Sequence, residues 1–546
     1  MSLLRELRSA SLAAAPPVAA VLTAAAGAML LASAATPSLP TRFVVLLVYA
    51  PALLIEVSHF LSPLLGLSLL LIAFGLRSRL DAAWMAAVIL LPVASVLAVF
   101  KGLAWEEATA LAVLTVLLLP MRRAFWRQAA LSRMEVTPGW LASMAAVMAG
   151  AALLGWWSFA HADFGDLPWW KSLADKDLDR AIRSSAAAAI LLFAIGAWRL
   201  IATPATPKVA GEDDPDFERV RAILAQAEDA EPSANLALLG DKRFLFSPTG
   251  ESFLMFGVRG RSWIALGPPV GKRAERLEMF WRFRELAYAH AARVAYYGLG
   301  PDDLPDVVEL GLTIQKIGEL ALTPLEGFSL EGRKRGNLRR AWRKAGEEGA
   351  TFEVLPAGGA MAIMDDLKRV SDAWLATHAG GDKAFSLGGF EPRYVSEGPV
   401  AVVRAEGKVQ AFATLWTTAH KGAFSIDLMR YAPDGPNHIM DYLFVELLQW
   451  GKAEGYTALD FGAAPLAGLD DRALAPMMSR LGALLFERGE NFYNFQGVRK
   501  YKDKYDPLWQ PRYIATPHRW AIPFLMADVG LLSSGGVAGL TKRRAS

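Results

Sequence analysis

Six apolar stretches, each near the length of a bilayer crossing, crowd the first two hundred residues and leave little room for a water-soluble core. They run from Ser11 to Ala35, Pro51 to Leu76, Ala82 to Phe100, Leu103 to Leu119, Trp140 to Ala160 and Ser184 to Ile201. A helix crosses a bilayer with roughly 20 consecutive apolar residues, so this half is expected to form about six membrane-spanning helices. Phe43 to Ala50 is a further apolar run that fits an interfacial or additional segment. The first stretch is followed by others and has no clear cleavage site, so it reads as an anchor and not a removable signal. Arg5 and Arg8 precede the first stretch, Arg77 and Arg79 follow the second, and Arg122, Arg123, Arg127 and Arg133 follow the fourth. Cations collect on the cytoplasmic side of membrane helices, which places the N-terminus and everything after Ile201 in the cytoplasm. Glu56 and His59 interrupt the second stretch one helical turn apart. Ionisable groups at membrane depth are candidates for function, with a headgroup or helix-capping contact as the alternative.

Beyond Gly211 the composition becomes that of an ordinary soluble α/β protein. TPATPKVAGEDDP, with its Pro, Gly and acidic residues, marks a linker over 203–215. Strand-like runs then alternate with helical ones: SFLMFGV, SWIALG, a helix near 273–292 and VAYYGL. A second series follows, with TFEVL, a helix near 361–377, PVAVVRAEG, KVQAFATLWT, GAFSIDLMRY, a helix over 440–454 and ALDFG. This spacing predicts mixed α/β sheet domains. The expected organisation is a membrane region over 1–202, a first module over 216–328, a connecting helix over 329–349, a second module over 350–520 and a tail over 521–546.

Several chemistries lack sequence support. The chain has no Cys, which removes disulfides, thiol nucleophiles and Cys–zinc sites together. Its 7 His show no convincing metal-ligand spacing, and no metal is expected. GPPVGK at Gly267–Lys272 is one residue short of a phosphate-binding loop and continues into Arg273 where Ser or Thr would bind magnesium. Neither a G-x-S-x-G elbow nor an H-E-x-x-H motif is present. A net charge of +3 means that any basic surface is local.

Such local surfaces exist. In SLEGRKRGNLRRAWRKAGEEG, Ser329 is placed to cap a helix and Gly349 to end it. Arg335, Arg339 and Arg343 recur at four-residue spacing, with Arg340 and Lys344 on the same flank, a pattern suited to tRNA or lipid phosphates or to simple solvation. GENFYNFQGVRKYKDKYDPLWQPRY interleaves Arg499, Lys500, Lys502 and Lys504 with aromatic residues. In SIDLMRY, strand alternation sets Asp427 and Met429 on one face and Arg430 on the other. An acid in an apolar strand needs a cation partner or a job, because an unpaired buried carboxylate is costly. The turn PDGPNH then opens a long amphipathic helix followed by a strand, the arrangement by which the acetyltransferase-type (GNAT) fold offers backbone N–H groups to an anionic cofactor. Asn437 and His438 stand where acyl-CoA enzymes carry a Gly-rich loop.

Together AWRKAGEEGATFEV, AFSLGGF, SIDLMRY, MDYLFVELLQWGKAEGY, FGAAPLAGL and GENFYNFQGVRKYKDKYDPLWQPRY resemble the phosphatidylglycerol lysyltransferase (multiple peptide resistance factor) family. EVSHF, RLDAAW and KGLAWEEA resemble the last part of that family's transmembrane region. The resemblance implies a multi-pass α-helical membrane domain followed by two tandem GNAT-like acyltransferase modules. It implies transfer of an amino acid, lysine or alanine foremost, from aminoacyl-tRNA to phosphatidylglycerol. The product makes the bacterial inner membrane less anionic and resistant to cationic antimicrobial peptides. No cofactor is implied beyond aminoacyl-tRNA as co-substrate; the expected partners are that tRNA, phosphatidylglycerol, the bilayer and a second copy through the membrane domain. Longer family members carry more spans and a flippase, and here GAAPL replaces a segment that more often has Met before Ala-Pro.

By the same resemblance Asp427 and Arg430 belong to the catalytic cleft and Lys502 to its cationic wall. Expected roles follow. Asp427 holds the substrate amine or accepts a proton, Arg430 orients Asp427 or a lipid phosphate, and Lys502 and Lys504 contact phosphate or the oxyanion. Glu490, Asn494, Gln496, Arg499 and Asp441 complete the expected substrate-binding set. Three other readings compete: an acyl-CoA-dependent acetyltransferase, a non-catalytic lipid transporter, and an aminoacyl transferase acting on a peptidoglycan precursor.

Overall fold

The structure is a computed structural model that describes residues 2–35, 52–127, 215–227, 229–377, 384–472, 474–480, 482 and 495–534. The chain divides into two compact units, one holding the N-terminal helices and the other the remainder of the chain from Pro207, apart from a short Ala287–Ala292 segment.

The N-terminal unit contains α1 (Ser2–Ala35), α2 (Ala52–Arg77), α3 (Asp81–Gly102) and α4 (Trp105–Leu118). Helices α1 and α2 cross where Gly27 faces Gly66: a Cβ on either would press on the other's carbonyl oxygen, at 2.7 and 2.9 Å. Small residues at such a crossing let two backbones approach, the packing device of helices in lipid. Large apolar side chains such as Val21, Phe74, Ile89, Val96 and Val116 lie on the outside. Two segments, Ala14–Ser33 and Asp81–Phe100, are long and apolar enough to cross a membrane, and Leu64–Arg77 is apolar but shorter. Thus two of the six expected spans meet that test among the described residues. The fourth expected span forms a helix of only 14 residues, and the fifth and sixth lie outside the described residues, as does Phe43 to Ala50.

In the second unit, α5 (Pro215–Leu224) precedes β1 (Arg243–Phe246), β2 (Ser252–Arg259), β3 (Ser262–Leu266) and β4 (Val270–Gly271). Then come α6 (Arg276–Ala289), β5 (Arg293–Leu299), α7 (Leu304–Glu309) and β6 (Thr313–Pro324). The second series is α8 (Gly336–Glu347), β7 (Thr351–Leu355), α9 (Met364–Thr377), α10 (Pro392–Glu397), β8 (Val400–Ala405), β9 (Lys408–Trp416) and β10 (Ala423–Tyr431). It ends with α11 (Ile439–Ala453), β11 (Ala458–Pro465), α12 (Phe495–Asp503), β12 (Leu508–Thr516) and α13 (Ile522–Ser533). The strands and long helices read from the sequence are present, with ends shifted by a few residues, but β1, β4, β6 and β12 were not among them.

All the strands among the described residues join one sheet in the order β1-β2-β3-β5-β12-β6-β11-β10-β9-β8-β7, with β4 beside β2. Each series is an antiparallel meander followed by a helical crossover to a parallel strand, β3 to β5 and β10 to β11. The last strands are exchanged. β6, from the first series, pairs with β11 of the second, while β12, from the second, pairs with β5 of the first. β6 and β12 also pair with each other from Thr313↔Thr516 to Leu322↔Leu508. The C-terminal part of the second series therefore completes the first, and neither half closes its sheet alone. This mixed sheet with a helical crossover at each parallel pair is a GNAT-like acyltransferase fold.

The segment expected as a helix over 329–349 starts later. Ser329 Oγ accepts from the Glu331 N–H at 3.0 Å, Gly332 takes a positive φ of 89°, and α8 begins only at Gly336. A residue at φ 89° and ψ 163° cannot continue a right-handed helix, so Gly332 separates Ser329 from it. Leu338, Ala341 and Ala345 bury the inner face of α8.

Candidate active site at a forked strand pair

β10 and β11 are hydrogen-bonded in parallel only from Ala423↔Ala458 to Ser425↔Asp460. Beyond that point β10 stays with β9 and β11 with β6, so the two strands part. The base of the fork is pinned by the buried Ser425 Oγ, which donates to the Asp460 carbonyl at 2.9 Å. Gly462, with φ of 82°, bends β11 away, and its N–H donates to Asp460 Oδ1 at 2.7 Å. Both strands also lose regular register here, between Ile426 and Met429 on β10 and between Asp460 and Ala463 on β11. Bulges of this kind re-aim side chains next to sites.

Asp427 stands two residues beyond the fork on β10. Its Oδ1 accepts from the Gly388 N–H at 2.8 Å and its Oδ2 from the Tyr394 hydroxyl at 2.9 Å. Trp416 Nε1 donates in turn to the Tyr394 oxygen at 2.9 Å. A Cβ on Gly388 would overlap the carboxylate, so glycine at 388 is required by this close approach. Across the site Lys242 is 0% exposed, and its Nζ donates to Asp241 Oδ1 at 2.5 Å. Asp241 Oδ2 accepts from the Phe385 N–H at 2.6 Å, which ties the 384–388 loop to the first series of elements. Burial pushes the Asp427 carboxyl up to about 6, opposed by the Tyr394 and Gly388 hydrogen bonds and by the Lys242 and Arg430 charges. Burial likewise pushes Lys242 down against the pull of Asp241. A carboxyl group with a value near 6 can take a proton at neutral pH and release it again, the property a general base needs.

Leu428 and Arg430 are buried while Met429 is exposed, as alternation in SIDLMRY predicts, whereas Asp427 lies within the irregularity between Ile426 and Met429. The Arg430 guanidinium lies 4.0 Å from the centre of the Trp374 ring. Lys502, on α12, reaches the other arm of the fork and donates to the carbonyl oxygens of Gly462 and Ala463 at 2.9 and 3.0 Å. Burial lowers Lys502 to about 8, with Asp460 pulling the other way. Asp460 is itself raised by burial to about 6, eased by the Gly462 N–H and the Arg512 and Lys502 charges. The fork thus carries a carboxyl group on one arm and an ammonium group on the other.

The remaining expected residues divide. Asp441, in the first turn of α11, accepts from the Tyr501 and Tyr505 hydroxyls at 3.2 and 3.1 Å and meets Lys504 at 3.4 Å. Arg499 pairs with Glu319 at 2.8 Å and stacks 4.5 Å from the Trp509 ring centre. These groups brace α12 against the sheet. Glu490 and Asn494 lie outside the described residues, and the side chains of Gln496, Glu56 and His59 are not among those described. On α8 the expected four-residue basic stripe separates. Arg335 pairs with Asp506 at 2.9 Å and Arg339 donates to the Leu330 carbonyl at 2.5 Å, while Arg340, Arg343 and Lys344 are exposed. Lys242, Tyr394, Trp416 and Trp374 were not foreseen. They lie 11 to 185 residues from Asp427 in sequence, and only the sheet brings them to it. Gly388 alone carried a signal, inside AFSLGGF.

Fold and fork together define an acyltransferase-type architecture whose second parallel pair is open. Residues 221–516 match the family described as phosphatidylglycerol lysyltransferase, C-terminal. The chain belongs to that family. It is 36% identical over 301 residues to a phosphatidylglycerol lysyltransferase of Bacillus subtilis, covering 55% of this chain and 35% of that protein. The corresponding protein of Staphylococcus aureus strain COL is 33% identical over 315 residues, covering 55% and 37%. The chain therefore spans about a third of the length of the curated relatives it matches. Among solved structures, the C-terminal domain of a protein described as a lysylphosphatidylglycerol synthetase from Agrobacterium fabrum is 42% identical. That likeness covers 59% of this chain and 98% of that one at a TM-score of 0.54. L-PGS from Bacillus licheniformis is 33% identical, covering 59% and 97% at a TM-score of 0.53.

Proposed function

We propose that the chain is an aminoacyltransferase that moves an amino acid from aminoacyl-tRNA to the glycerol hydroxyl of phosphatidylglycerol, at the cytoplasmic face of a bacterial membrane. The observation that carries this reading is Asp427, a carboxyl group raised to about 6 and oriented by Tyr394 and Gly388 at the mouth of the fork. The relatives' names supply the acceptor lipid, and the apolar N-terminal helices fit a membrane-bound enzyme.

The aminoacyl ester is already activated, so the protein's share is positioning, proton transfer and charge stabilisation. The lipid hydroxyl attacks the ester carbonyl and gives its proton to the Asp427 carboxylate. The tetrahedral oxyanion then collapses, the bond to the ribose oxygen breaks, and that oxygen takes the proton from Asp427, which restores the carboxylate. Lys502, held on the opposite arm of the fork, supplies positive charge to phosphate or oxyanion. Arg340, Arg343 and Lys344 form an exposed basic face suited to the tRNA backbone. An acyl-CoA reading is disfavoured by charge: the first turn of α11, where a pyrophosphate would sit in such a fold, already carries Asp441.

Mass spectrometry of lipids from cells expressing the chain, beside an Asp427→Ala control, tests the reading. An aminoacylated phosphatidylglycerol present only with the unaltered chain, and lost in an extract treated with ribonuclease, is the expected result. Undiminished product in the Asp427→Ala strain, or activity that survives ribonuclease, would overturn it. The mass of the headgroup identifies the amino acid, and lysine and alanine are the first expectations.

A further inference from the structure

Helix α13 has an outer face unlike the rest of the soluble unit. Ile522, Leu525 and Val529 are buried against the sheet. The opposite face presents Trp520, just ahead of the helix, then Pro523, Phe524, Ala527 and Gly530, and it contains no charged residue. Trp520 is 64% exposed and Phe524 57%. The helix is held in this rotation by its one acid: Asp528 accepts from Ser262 Oγ at 2.6 Å and meets Arg259 at 3.5 Å and Arg293 at 3.8 Å. The apolar face is therefore presented by a fixed element.

Arginines and one histidine rim that face. Arg519 and His518 are exposed beside Trp520, and the His518 ring stacks on the Trp520 ring at 5.5 Å. The Arg293 guanidinium lies 5.9 Å from the Phe524 ring centre, and Arg261 is held below its usual value by burial of its guanidinium and, to a lesser degree, by the nearby Arg293 charge. Aromatic side chains on an uncharged helix face, rimmed by Arg, match the residues that settle at the boundary between headgroups and acyl chains. A surface rich in anionic lipid attracts such a rim. The same chain carries two segments able to cross a bilayer, so a lipid surface is within reach of this unit.

We infer that the outer face of α13 is a second membrane contact, seating Trp520 and Phe524 in the interface of an anionic bilayer and orienting the forked sheet toward its lipid substrate. This inference rests on the membrane reading of the N-terminal helices given above. It commits to lipid and not to a second copy of the chain, because the aromatic pair is rimmed on its own surface by like-charged arginines that would oppose a symmetric partner.

The absence of cysteine makes a clean test available. The full chain is reconstituted in nanodiscs containing phosphatidylglycerol, with a nitroxide on Phe524→Cys or, as control, on Val308→Cys, which is 62% exposed on α7. Both substitutions are at exposed positions, and unchanged melting curves verify that they fold. The expected result is a nitroxide at 524 several-fold more accessible to oxygen than to a water-soluble nickel relaxant, with the reverse at 308. Equal, water-like accessibility at both positions overturns the inference while leaving the membrane reading intact. Spin–spin broadening at 524 that shows a neighbouring copy also overturns it. A chain that fails to co-elute with the discs overturns both the inference and the membrane reading beneath it.

Discussion

The two parallel strand pairs of the sheet have the same topology and opposite interiors. β3 and β5 remain paired along the whole length of β3, from Ser262↔Arg293 to Leu266↔Tyr297. Their crossover side is filled by aromatic rings: Phe256 stacks on Trp263 at 5.5 Å, and Tyr296 packs between Phe280 and Phe283 at 5.1 and 5.6 Å. β10 and β11 keep three paired positions and then part, with Asp427 on one strand, Asp460 on the other and Lys502 bonded to the Gly462 and Ala463 carbonyls. One pair is closed and packed with aromatic rings, and the other holds ionisable groups that burial has shifted toward neutral pH. The lesson is a division of labour. On the proposed function, the closed half supplies stability and one side chain beside the site, buried Lys242, and the open half supplies the chemistry.

Substitutions in the two forks should separate these roles. The largest expected effect is on the open side: Asp427→Asn lowers transfer by about 10²–10⁴-fold, as loss of a general base does. Stability moves the other way. Because burial raises Asp427 to about 6 while an unfolded aspartate titrates near 4, its favourable contribution to folding is present at acid pH and is lost as pH rises through about 6. Asp427→Asn is therefore expected to raise the thermal midpoint at pH 8, by about 1–2 kcal/mol of stability, and to change it little at pH 5. A fall in stability at pH 8 would show that the carboxylate is structural.

On the closed side, Trp263→Ala removes a fully buried ring and costs about 3–5 kcal/mol in chemical denaturation. The rate per folded molecule is expected to stay close to that of the unaltered chain. Loss of turnover in the folded fraction would erase the distinction between the halves.

The pH profile should follow the open fork alone. Transfer is expected to fall about tenfold per unit below pH 6, as Asp427 gains a proton, and above pH 8, as Lys502 loses one. A smaller effect refines the assignment. Tyr394→Phe removes a hydrogen bond that favours the charged carboxylate, so the acidic limb is expected to move upward by about half a unit to one unit. An unmoved acidic limb would mean that a different group, such as Asp460, sets it.

Much of this architecture was legible in the chain because local pattern carries it. The alternation in TFEVL and GAFSIDLMRY, the amphipathic run after PDGPNH and the isolated acid in SIDLMRY each mark an element or a candidate residue without reference to distant parts. The basic stripe of α8 was legible only as a stripe. That Arg335 and Arg339 are consumed by Asp506 and the Leu330 carbonyl depends on packing that spacing does not encode. Expected boundaries at 328 and 350 also missed the exchange of β6 and β12, because hydrogen bonds between strands are indifferent to their separation along the chain.

The sequence by itself determined an apolar N-terminal half, a mixed α/β region behind it, family membership through its dense local motifs, and Asp427, Arg430 and Lys502 as residues to examine. Only the tertiary structure decided that one parallel pair closes and the other opens. It also decided that Lys242, Gly388 and Tyr394 converge on Asp427, and that α13 turns Trp520 and Phe524 outward. The physical reason is the same in each case: burial and long-range pairing set both the geometry and the proton affinity of a side chain, and neither is a property of its neighbours in sequence.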